Sequence, residues 1–106
     1  MAKVYQRKKS NEFYLPENLY ASMTYAVKEY ERQKVEYYKS TTQTENKYKL
    51  IHATAQALEI IPIEYRHDII ENISVNKPYP KNVPSAIYGK WKALLLYTIA
   101  YKLNLV

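Results

Sequence analysis

The side chains best suited to proton transfer at neutral pH are two histidines, His52 and His67, in a chain of 106 residues with no cysteine. Neither histidine belongs to an HExxH pattern. His67 and Asp68 are neighbours on a predicted helix and therefore point about 100° apart. Glu64 and Asp68, four residues apart, share a helix face, but a divalent cation held there needs further oxygen ligands. The pair reads as an ordinary solvated face. A single glycine, Gly89, excludes both GxGxxG and Walker A phosphate loops. No cysteine means no disulfide framework, zinc ribbon or thiol nucleophile. The expectation is a protein without catalytic residues, metal site or cofactor, not an enzyme.

Charge offers a different chemistry. The formal net charge is +6, spread unevenly. Residues 1–10 hold Lys3, Arg7, Lys8 and Lys9 with no acid, and residues 11–71 are net acidic. Residues 72–106 hold Lys77, Lys81, Lys90, Lys92 and Lys102, again with no acid. A basic surplus confined to one arm and the final third fits an anionic partner. It also fits a solvated lysine surface that keeps a small domain soluble. Lys77, Lys81, Lys90 and Lys92 would each neutralise a phosphate and release a counterion. Asn82, Ser85 and Tyr88 would donate to phosphate or read base edges. These seven residues are the expected nucleic-acid contacts.

Thirteen tyrosines against one phenylalanine are the most unusual compositional feature. A tyrosine ring is apolar with one polar tip, which suits half-buried and interfacial positions. On the helix stripes they read as core filler. Tyr37, Tyr38, Tyr79 and Tyr88 fall off those stripes and read as contact surface.

The elements that carry these residues are helical. Pro16 opens a long first helix over 16–39, with Leu19, Met23, Ala26, Val27 and Tyr30 at spacings of three and four. Thr42 and Glu45 have capping-box spacing before a second helix over 43–59. Pro62 starts a third over 62–73, and Pro78 and Pro80 hold a loop over 75–82. A fourth, over 84–103, is apolar nearly all round from Leu94 to Tyr97 and should be the central core element. On it Ile87, Trp91, Leu94, Leu95 and Thr98 form the expected inward stripe, leaving Ser85, Ala86, Gly89 and Lys92 outward. Gly89 either admits a close backbone or is tolerated at about 1 kcal/mol relative to alanine. The fold class is all-α: one domain of about four helices over 14–106, preceded by a flexible basic arm over 1–13. No apolar run approaches the roughly 20 residues that span a bilayer, and no secretory pattern follows the basic start. No membrane association and a cytoplasmic location are expected.

The segment Ile60-Ile61-Pro62-Ile63-Glu64-Tyr65-Arg66-His67-Asp68-Ile69-Ile70 resembles the opening helix of a sigma-factor region-four domain. The segment Asn82-Val83-Pro84-Ser85-Ala86-Ile87-Tyr88-Gly89-Lys90-Trp91-Lys92 resembles the recognition-helix part of small ArpU-like regulators of phages of Gram-positive bacteria. Together they cover about residues 60–103. The resemblance implies a phage or prophage origin, gene control and a helix-turn-helix mode of DNA binding. Such proteins carry a short second helix between the two segments, for which Ser74 to Lys81 is too short.

Three functions follow as expectations. The first is a small regulatory protein that binds DNA or the transcription machinery through its basic final third. The second is a non-enzymatic module that binds a host nucleic-acid-processing protein as inhibitor or adaptor. The third is self-association into a homodimer, with the Val27–Val35 region of the first helix in the seam.

Overall fold

The computed structural model describes residues 13–39 and 45–106. They form five helices: α1 (Glu17–Lys28), α2 (Tyr30–Lys39), α3 (Glu45–Ile60), α4 (Ile63–Val75) and α5 (Ser85–Lys102). The described residues contain no strand, so the all-α expectation holds. Most of the expected basic arm, and Thr42 of the expected capping box, lie outside the described residues. No helix of the described residues is long and apolar enough to cross a membrane.

The count is five because the predicted helix over 16–39 bends at Glu29. Glu29 sits at φ −99° and ψ 6°, a turn conformation. Its N–H still donates to Tyr25 O at 2.9 Å, and Gln33 N–H donates to Glu29 O at 2.9 Å. The ladder bends without coming apart. The two halves have different surroundings to satisfy. The α1 half buries Met23, Ala26 and Val27, whereas α2 buries no residue at all. Its sequence YERQKVEYYK is laced by ion pairs, Arg32 with Glu29 and Glu36 and Lys34 with Glu31. Such pairs support a helix that lacks a core face. Val27 is consumed by the chain's own core, so it cannot share a dimer seam with exposed Val35.

Leu15, Ile61, Ile69, Leu95, Leu96 and Ile99 form the driest part of the core. The central element is α5, as expected, and it packs on α1, α3 and α4. The small side chains Ala53 and Ala57 of α3 are buried and permit close approach. Thr54, buried among them, satisfies its hydroxyl by donating to Leu50 O at 2.9 Å. Pro62 separates α3 from α4. Arg66 Nη2 donates back to Ile61 O at 2.9 Å, just beyond the end of α3. That bond takes up a carbonyl the helix cannot satisfy itself.

The rotation of α5 differs from the expected one. Its fully buried residues are Tyr88, Leu95, Leu96, Ile99 and Ala100, while Ile87, Trp91 and Leu94 are half-buried. The inward stripe is turned by about one residue, some 100°. The uninterrupted apolar run Leu94–Tyr97 carries no phase, so Tyr88 decides it by reaching Asp68 of α4. Nothing lies within 4 Å of a Cβ placed on exposed Gly89, so no close backbone requires this glycine.

Candidate nucleic-acid interface

The candidate interface is the end of the molecule where α4 hands over to α5. Residues 76–84 join them with no intervening helix, as the prolines imply. Asn76 ends α4 in the left-handed region at φ 58°, and its N–H donates to Asn72 O at 3.1 Å. The Asn72 carboxamide returns a hydrogen bond to Lys77 O at 3.0 Å. The first residues of the loop are thereby fixed.

Further along, Tyr79 lies flat on Tyr88, centroids 4.4 Å apart and planes 7° from parallel. Tyr65 of α4 meets Tyr88 in a T-shaped contact at 5.5 Å. The Tyr88 hydroxyl donates to Asp68 Oδ2 at 2.9 Å. Burial first, and then this carboxylate, push the Tyr88 phenol above its ordinary pKa. Loop, α4 and α5 are thus held together by a tyrosine cluster around one acid. Tyr88, only 2% exposed, is therefore a packing residue and not a phosphate or base contact.

Lys92 is displaced for the same reason. It lies one turn beyond Tyr88 on the buried stripe, and its side chain is half-buried. Nζ donates to Asn72 Oδ1 at 3.3 Å and sits 5.9 Å from the centre of the Tyr20 ring. Burial lowers its pKa. Lys77 stays exposed but pairs with Glu71 at 3.0 Å, which offsets its charge.

The remaining four residues stay at the surface. Lys81, Asn82, Ser85 and Lys90 are all exposed, on the last loop turn and the first turns of α5. Lys81 and Lys90 form no ion pair with the described residues; Lys90 Nζ rests 5.7 Å above the Trp91 ring. Pro84 occupies the N-cap position of α5, no side chain caps that end, and its first turn holds no acid. The positive end of the helix dipole therefore faces solvent, with Lys81 in the preceding loop and Lys90 in the second turn. Of the residues that shape this end, Asn72 and Glu71 were missed by sequence reasoning, Asp68 was read as part of a solvated face, and Tyr79 was read as contact surface. The signal for Tyr79 was its place off the stripes within a proline loop.

Comparison of the chain with protein-family models, with curated proteins and with solved structures returned no match.

Proposed function

We propose that this protein is a small, non-enzymatic regulatory protein that binds duplex DNA through the junction of the 76–84 loop with α5. The observation that carries this reading is that Lys81, Asn82, Ser85 and Lys90 are all exposed on the loop and the first turns of α5, at a helix start without a side-chain cap, within a final third that has no acid. Lysines without acidic partners release counterions when they meet phosphate. Free N–H groups at a helix start accept an anion without further reorganisation. The resemblance to phage regulators over residues 60–103 supports the same class. In the absence of a short helix before α5, contacts would come from the loop and the first turns of α5 rather than from a helix-turn-helix. A cytoplasmic location accords with this role.

The test is fluorescence anisotropy with a labelled duplex across a salt series. The expected result is binding that weakens steadily with salt and is lowered by Lys81→Glu and by Lys90→Glu. Binding that ignores salt, or no binding to any duplex, overturns the reading.

A second reading, a module that binds a host nucleic-acid-processing protein, is favoured by one observation: α2 buries nothing, yet presents Val35 and Tyr38 to solvent, the latter 64% exposed. Nuclease-treated pull-downs separate the two, because a stoichiometric protein partner that survives the nuclease favours the module.

A further inference from the structure

At the far end of α5 the chain builds a second, different concavity. A groove of about 380 Å³ runs between residues 48–56 of α3 and the end of α5. Its polar lining comes from Tyr48, Lys49, His52, Gln56, Lys102 and Asn104, and no acid lines it.

Part of the groove's lining is aromatic. Tyr48 and His52, one turn apart on α3, stack with centroids 5.5 Å apart and planes 10° from parallel. Both are exposed, so a π face is offered to solvent rather than spent on the core. The row continues onto α2, where Tyr37 lies 6.1 Å from Tyr48 and Tyr38 meets Tyr37 edge-on at 5.1 Å. This is the pattern of a stacking platform for unpaired bases.

The walls supply edges and charge. Gln56 and Asn104 each offer a carboxamide, with donors and an acceptor to match the edge of a base. Asn104 is held in the left-handed region at φ 61°. Its N–H donates to Tyr101 O at 3.0 Å, and Leu105 N–H donates to Ala100 O at 2.9 Å. These bonds satisfy the Tyr101 and Ala100 carbonyls and fix the chain where Asn104 enters the groove. Lys102 is exposed and forms no ion pair with the described residues, while Lys49 lies 3.6 Å from Glu45. One uncommitted cation beside an exposed aromatic pair and two carboxamides matches a nucleotide, which brings a stacking face, a hydrogen-bonding edge and an anion in one unit.

We propose that this groove binds a single unpaired nucleotide unit. The base lies on the Tyr48–His52 pair, its edge faces Gln56 and Asn104, and its phosphate meets Lys102. The site is separate from the duplex surface, at the other end of α5, and does not depend on that reading. The shared chemistry of base plus phosphate could come from a free nucleotide or from a single strand.

The experiment titrates the full chain with a labelled oligodeoxyadenylate of about twelve nucleotides, a length within known strand-site sizes. An abasic strand of equal length and AMP are titrated in parallel, with amide shifts followed by NMR. The base-bearing strand should bind about tenfold more tightly than the abasic one, the scale of one base–aromatic contact. Tyr48→Ala and Lys102→Glu should each weaken it several-fold. Lys102→Glu, at an exposed helix end, keeps the test valid should Tyr48→Ala unfold the chain. AMP shifts centred on Tyr48, His52 and Gln56 identify a free nucleotide as sufficient; shifts there with the strand alone identify the strand. Equal affinity for base-bearing and abasic strands, indifference to both substitutions, or absence of binding by every probe overturns the proposal.

Discussion

The Tyr88 hydroxyl of α5 donates a hydrogen bond to Asp68 Oδ2 of α4 at 2.9 Å, twenty residues away in sequence. This bond fixes the rotation of α5, and with it which lysines reach solvent. Tyr88→Phe keeps the ring against Tyr79 and Tyr65 but leaves the Asp68 carboxylate without this donor. It should lower the melting temperature by roughly 5 °C, the response of a small domain to one lost hydrogen bond to a charged group. Thermal unfolding followed by circular dichroism checks this, and an unchanged melting temperature would show that the bond contributes nothing net.

Tyr20, Tyr79 and Tyr88 all have phenol pKa values raised above 10.0, in each case chiefly by burial. A raised folded-state pKa means that the folded chain holds its proton where the unfolded chain has lost it. Their contribution to stability is complete below about pH 10, the unfolded value, and is lost as pH climbs through the folded values. Denaturant unfolding should therefore show stability falling in alkali. Tyr88→Phe should make that fall shallower. A wild-type curve flat to well above pH 10 would refute it.

At the candidate interface, the two lysines without acidic partners should account for the electrostatics. Each phosphate contact contributes about 0.9 to the slope of log affinity against log salt. Lys81→Ala with Lys90→Ala should therefore reduce the slope by about 2. Lys77→Ala should change it less, because Lys77 already pairs with Glu71. A salt titration with one duplex reads all three variants.

Helix positions were legible in the sequence because prolines punctuate it: Pro16, Pro62 and Pro84 each stand immediately before a helix. The bend at Glu29 was not, since the chain from Glu17 to Lys39 contains no breaker. It arises from what the two halves pack against. The rotation of α5 was not legible either. An apolar run such as Leu94–Tyr97 fits any rotation, and the deciding contact joins Tyr88 to an acid on another helix. Four of the seven expected interface residues lie exposed: Lys81 and Asn82 in the loop, Ser85 at the very start of α5, and Lys90 about 160° around the helix from Tyr88. Tyr88 and Lys92 were lost to the same rotation.

Lys92 tests that rotation from the functional side. Its Nζ is committed to Asn72 and faces the Tyr20 ring, so it should not contact phosphate. Lys92→Met keeps the length of the stem and removes the charge. Duplex affinity should stay within about twofold, whereas an outward lysine would lose the share that one phosphate contact supplies. The stability effect has its own sign. Burial lowers the folded pKa of Lys92 below 10.5, so the unfolded chain binds its proton more readily. Stability from this group alone rises with pH as the folded amine discharges, up to about pH 10.5, opposite to the tyrosines. Lys92→Met should remove that rise and hold or increase stability at neutral pH, with Asn72 retaining its bond to Lys77 O. Parallel denaturant and anisotropy titrations decide the matter: a large loss of duplex affinity with unchanged stability would place Lys92 at the surface after all.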